Sequence, residues 1–348
     1  MPSSIRFSPP SPLALVLLGG LVMGAALGIR HAQGLFMVPL AANLGAGLVI
    51  GIALACTAFG AIYGALGRML APEQRGWGLG LAGAAAGVGQ FASIPAAQGA
   101  VGSFGISGAL LLLAAGIAML CVCALALDDR GVPTPAPGQR AAAVPDQPLA
   151  PVLRAAARRP GFWMLTAGFF ACGFQLAFIA THLPAWLLER GMSGRHAAIA
   201  LSLVALANIG GTYLCSVLGA RLRKGRVLAV IYLVRSLAIA LFVLAPPGAA
   251  TLYAFAVVMG VLWLGTVPLT NGIVSGVFGV RYLATMFGLV FLGHQAGSFC
   301  GVWLGGLVFD ATGSYDLVWC ATVAIGLVAA ALHWPLSEAP AALSLRPA

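Results

Sequence analysis

Arg30 sits seventeen residues into the first long apolar run of the chain, with His31 and Gln33 beside it. An arginine at that depth costs roughly 2.5–3.5 kcal/mol to insert in a bilayer and needs a wet cavity or a partner. No Asp or Glu lies in the middle of any apolar run, so an internal carboxylate does not serve. An anionic ligand would, because a guanidinium holds a carboxylate with two parallel hydrogen bonds. The competing reading has Arg30 snorkelling outward to the headgroups. Helical spacing sets Arg30 and Gln33 on adjoining faces. His31 titrates near neutral pH when unperturbed and could couple to protons, or it could pack on a neighbouring helix.

Further polar residues are spread over the later runs. Gln175 and His182 fall on one face of the fifth run, ahead of Pro184. His294 and Gln295 lie in the ninth beside a ladder of Gly293, Gly297, Gly301 and Gly305. A spacing of four puts those glycines on one stripe, which reads first as helix packing. His182 and His294 are proton-coupling candidates, and Gln175 and His294 candidate ligands of a substrate. Thr266, Thr270 and Asn271, with Trp263 one turn earlier, suit a small organic molecule, although interhelical hydrogen bonds explain them as well. Asn208 has the same two readings. Arg235 is mid-run too.

Everything that must position these residues is apolar. Of 348 residues, 61% are hydrophobic and 7% charged, against about 25% charged in a soluble domain. The expected fold is an all-α polytopic membrane bundle. Its spans read as 13–40, 46–67, 76–98, 104–127, 161–188, 196–218, 227–246, 251–274, 283–308 and 315–335. The proline-containing break 128–160 reads as a flexible linker. It separates an N-terminal half (1–127, four spans) from a C-terminal half (161–348, six spans).

Ten spans put both termini on one side. With that side inside, the inner loops hold fourteen basic residues and the outer loops only Arg190 and Arg195, so cytoplasmic termini are expected. The net charge of +10 is therefore a topology signal and not a nucleic-acid surface. The run Arg221, Arg223, Lys224, Arg226 reads as an anchor to anionic lipid. A single Lys among the bases, with abundant Ala and Gly, points to a GC-rich bacterial genome and so to an inner membrane. No small-residue cleavage site follows the first run, and a cleaved signal is not expected. Seven cysteines with no CxxC or Cys/His cluster give no reason to expect a disulfide or a metal. No cofactor is expected. The chain has no HExxH, GxSxG or phosphate-binding loop and no nucleophile–base pair, which argues against an enzyme or an ATP-driven pump.

The halves echo each other. Gly28, Arg30 and Pro39 repeat as Gly173, Gln175 and Pro184 with the same spacing. The third and ninth runs each start from an arginine (Arg75, Arg281) and carry a glutamine (Gln90, Gln295). Related halves are the plan of many secondary transporters.

The stretches GIRHAQGLFMVPLAANLG (28–45), THLPAWLLERG (181–191), GARLRKGR (219–226) and the long block VPLTNG…GSYD (267–316) resemble the major facilitator superfamily. The likeness is strongest to its monocarboxylate-type and oxalate/formate-type branches. It implies twelve helices in two six-helix halves. Here the family's second and third helices are missing at Asn43–Gly47, and the basic loop lacks the family's acid. The resemblance makes the span 251–274 a cavity-lining helix, with 46–67 (Thr57, Tyr63) as its counterpart, and the helix of Arg235 a peripheral one, so that Arg235 reads as snorkelling or taking a carbonyl partner. It implies a secondary transporter of a small organic anion, proton-coupled or exchanging. Efflux of hydrophobic compounds and a non-transporting remnant are the alternatives. A second copy of the chain, lipid or another helix would fill the gap left by the missing pair.

Overall fold

The computed structural model describes residues 11–32, 59–125 and 148–340. The junction at Asn43–Gly47, Gln33 and the middle of the linker lie outside them. Among the described residues every regular element is helical. In chain order these are α1 (Pro12–Ala32), α2 (Phe59–Met69), α3 (Pro72–Leu125), α4 (Leu149–Ala157), α5 (Pro160–Glu189), α6 (Gly194–Arg221), α7 (Lys224–Leu244), α8 (Ala249–Leu262), α9 (Thr266–Phe278), α10 (Leu283–Thr312) and α11 (Asp316–His333). Seven segments among the described residues are long and apolar enough to cross a bilayer. The reason is general: without water, each backbone N–H must find its carbonyl within the segment, and a helix does that.

Three elements depart from the sequence reading. The linker is not wholly flexible, since α4 forms inside it. Val152 and Ala156 supply a buried face, and the Trp163 indole N–H donates to the Ala157 carbonyl at 2.8 Å, tying α4 to the start of α5. The third and fourth spans follow each other without the expected loop: α3 is two helices that meet at a kink at Gly105, where φ is +68° and ψ −179°. That backbone conformation is open to glycine alone. The span 251–274 is not continuous: Trp263–Gly265 separate α8 from α9. Pro268 has no N–H to return to the Leu264 carbonyl, so the ladder fails there.

Lipid tails are as apolar as leucine, so helix pairs form by close packing of small residues. Gly89 of α3 meets the carbonyl of Gly24 in α1, where a β-carbon would come 2.2 Å from the oxygen. Gly211 of α6 meets the Val261 carbonyl of α8 at 2.1 Å in the same sense. The glycine ladder of α10 faces α5: Gly293 stands at Thr166, Gly297 at Phe170, Gly301 at Phe174 and Gly305 at the His182 ring.

The two parts of the chain join at the end that carries the basic loops. There Gly64 of α2 faces Ala284 of α10, and Gly67 faces Leu283 and Val280. Beside them Gly80, Gly83 and Gly87 of α3 face Ser216, Thr212 and Asn208 of α6. Beyond Gly105 most of the described side chains of α3 are exposed, Ile106, Leu111, Leu112 and Met119 among them.

Candidate substrate path and its polar core

Arg235 organises the polar centre of the C-terminal part. It sits near the middle of α7 and is wholly buried. Its guanidinium donates through Nη2 to the carbonyl oxygens of Leu262 and of Trp263, the latter at 3.1 Å. Through Nη1 it donates to Gln175 Oε1 at 3.3 Å and to Cys172 Sγ at 3.5 Å. The Tyr232 ring lies 5.5 Å from the charge centre. Nε has no partner. None of these groups is a carboxylate. Every acid in the described helices lies near a helix end, at Glu73, Glu189, Asp310 and Asp316. Among the described residues a buried cation is held here without a carboxylate, at the carbonyl terminus of α8, where the helix dipole is negative.

Of the two readings of Arg235, snorkelling or a carbonyl partner, the structure shows the second: the side chain points inward and takes the Leu262 and Trp263 carbonyls. The network then spreads. Gln175 Nε2 donates to the Thr322 carbonyl of α11 at 3.1 Å, and Cys172 Sγ lies 3.4 Å from Thr266 Oγ1 of α9. Both ends of the Gln175 amide are therefore engaged within the helix core. In this structure the amide braces α5, α7 and α11.

On the other side of the break, Asn208 of α6 holds the start of α9. Its Oδ1 accepts from the Leu264 N–H at 3.0 Å and from Thr212 Oγ1 at 2.9 Å. Further along α9, Asn271 Nδ2 donates to the Val267 carbonyl at 3.0 Å. Thr270 Oγ1, Asn271 Oδ1 and Asn208 Nδ2 are buried with no partner among the described residues. Such unpaired polar atoms are expensive unless another state or a ligand satisfies them.

The histidines divide. His182 Nε2 lies 3.0 Å from the Val302 carbonyl, and its ring packs between Phe178 and Tyr315. His294 is half-buried, stacked on Phe291 at 5.0 Å and against Phe169 at 5.1 Å. Its Nδ1 lies 3.3 Å from Gln295 Oε1 and 3.4 Å from Ser298 Oγ, and the ring adjoins the Cys172 thiol. The backbones of Arg30 and His31 end α1; their side chains, like Gln33, lie outside the described residues.

The basic loop does not simply face lipid. Lys224 Nζ lies 3.8 Å from Glu338 Oε2, the Gly225 N–H donates to Glu338 Oε1 at 2.9 Å, and Arg223 donates to the Leu336 carbonyl at 3.3 Å. Arg226 stands 6.0 Å from the Trp334 ring. The acid missing from the loop arrives from the segment after α11. Its sequence signal was a lone Glu338 near the end of an otherwise apolar stretch.

The profile of the Major Facilitator Superfamily matches residues 4–295. Among curated relatives, human monocarboxylate transporter 11 is 29% identical over 280 residues, 78% of this chain and 58% of that protein. Zebrafish monocarboxylate transporter 12-B is 26% identical over 86% of this chain and 68% of its own length. The uncharacterized MFS-type transporter YhjX of Escherichia coli is 27% identical over 41% of this chain and 36% of its own. The chain thus spans about a third to two thirds of the curated relatives it matches. Among solved structures, the E. coli fucose:proton symporter FucP superposes with a TM-score of 0.62 at 18% identity, over 94% of this chain and 84% of that one. With a profile match across most of its length and a shared fold, the chain is a multi-pass membrane protein of the Major Facilitator Superfamily, a family of transporters and not of enzymes.

Proposed function

We propose that the chain is a secondary active transporter of a small organic anion of carboxylate type, coupled to protons or working by exchange. Arg30 carries the reading. It stands eighteen residues past Pro12 in α1, about 27 Å along the axis at 1.5 Å per residue. The middles of the described spans offer it no acid. Arg235, the other mid-span arginine, is already engaged with carbonyls and Gln175. The monocarboxylate transporters among the relatives point to the same substrate class. Thr270 and Asn271, with their unsatisfied oxygens, would orient the substrate, and His294, half-buried beside Cys172, is the proton-coupling candidate. Both termini face the cytoplasm of a bacterial inner membrane in this reading. Alternating access would rock α1–α3 against the C-terminal helices.

Counterflow into proteoliposomes tests it. Purified chain loaded with unlabelled mono- and dicarboxylates should accumulate a labelled one, and Arg30→Gln should abolish that accumulation. Unchanged affinity in Arg30→Gln refutes the anion site. One observation favours a non-transporting subunit instead: the span 99–119 is almost wholly uncovered, a surface that a second copy could occupy. No accumulation of any substrate by folded, monodisperse protein would favour that reading.

A further inference from the structure

We propose that Arg235 is a built-in cation for the break between α8 and α9, occupying the carbonyl site that a coupling metal ion would otherwise need. Broken membrane helices expose backbone carbonyls at mid-depth, and transporters commonly satisfy them with sodium or a proton. Here Leu262 and Trp263 present two such carbonyls at the end of α8, and the Arg235 guanidinium lies on both. Among the described residues the site is buried and holds no carboxylate. Gln175 and Cys172 take the other end of the guanidinium, the Tyr232 ring covers it, and Cys215 fills the space at Gly265, where a β-carbon would come 2.4 Å from its sulfur.

The amide side of the break is held separately by Asn208 on the Leu264 N–H. The two residues therefore clamp opposite poles of one discontinuity, Arg235 its negative end and Asn208 its positive end. The tethered charge has a consequence that a neutral clamp would lack. A metal cation entering this site would meet a fixed positive charge at contact distance, so sodium gains no foothold. Arg235 is a positioning residue: it sets where Thr266, Thr270 and Asn271 stand without facing the substrate itself. The holding of the break is independent of the transport reading. The sodium independence of transport rests on it.

Hydrogen–deuterium exchange on the full chain in nanodiscs is the test, because it reads the break without any substrate. In the parent chain, amides of residues 260–268 should exchange at the same rate in sodium and in choline buffer. Arg235→Ala should exchange there about tenfold faster, the loss expected for a buried hydrogen bond to a charged donor, and millimolar methylguanidinium should slow it again. Arg235→Lys, which keeps a cation within reach of the carbonyls, should fall between the two. It also serves if the alanine variant does not fold. Slower exchange in sodium for the parent, or Arg235→Ala exchanging as the parent does, overturns the proposal. Counterflow of a labelled carboxylate by the parent should be equal in sodium and choline; sodium-dependent counterflow also overturns it. A chain that transports nothing in either buffer sinks the transport reading and leaves the exchange result to decide this one.

Discussion

Gly297 stands against the carbonyl oxygen of Phe170 so closely that a β-carbon on it would come 2.0 Å from that oxygen. The contact is backbone on backbone, so no side chain can swing aside. The next rungs, Gly301 on Phe174 and Gly305 on His182, continue the same seam between α5 and α10. Gly297→Leu should force the helices apart at a cost of about 1–3 kcal/mol or more. Gly306, whose added β-carbon meets nothing, should accept leucine. Thermal unfolding in detergent, followed by monodispersity, compares the two. Equal midpoints would show that the seam is not what holds α5 to α10.

Glu338 serves Lys224 and the N–H of Gly225 at once, closing the first turn of α7 with a segment that follows α11. Both charged side chains are partly solvated, so the ion pair alone is worth about 0.2–1 kcal/mol. The hydrogen bond to a helix N-terminus adds about as much again. Glu338→Gln keeps an acceptor and should cost little. Glu338→Ala should open the segment, seen as faster protease cleavage after His333. Identical cleavage of the two variants would assign the whole effect to charge.

Asn208 presents one oxygen to two donors, the Leu264 N–H and the Thr212 hydroxyl. Asn208→Ala should leave the buried Leu264 N–H unpaired and cost about 1–3 kcal/mol. Asn208→Leu should be worse, because Gly87 of α3 packs so close that a β-carbon on it would already come 3.1 Å from Asn208 Nδ2. The measurement is the thermal midpoint of the purified chain. An unchanged midpoint in Asn208→Ala would mean that water reaches the break.

The spans were legible because bilayer thickness and backbone satisfaction leave one solution to a twenty-residue apolar run. The described bounds of α5, Pro160–Glu189, sit within a residue of the expected 161–188. The glycine ladder showed its stripe by spacing alone, although its partner helix did not show. Polar roles were less legible. Arg235 and Gln175 look alike in sequence, each a single polar residue in an apolar run. Only the third dimension brings them within 3.3 Å and turns both into braces. Glu338 lies more than a hundred residues from Lys224, so a loop read locally as lacking an acid has one. The break at Trp263–Gly265 left a trace in Gly265 and Pro268, but hydropathy runs straight through it.

Gly64 and Ala284 join the two parts of the chain at the basic end, where a β-carbon on Gly64 would lie 3.1 Å from that of Ala284. Disulfides need β-carbons about 3.5–4.5 Å apart, so a small shift lets the pair Gly64→Cys and Ala284→Cys bridge α2 to α10. If the two parts rock, this end must open once in each cycle. Oxidation should then stop counterflow, and a reductant should restore it. The control is Gly64→Cys alone, which should transport whether oxidised or not. A bridged protein that still exchanges labelled substrate would show that this contact is not a moving one. The substrate route would then have to lie within a single part of the bundle, around the unsatisfied oxygens of Thr270 and Asn271.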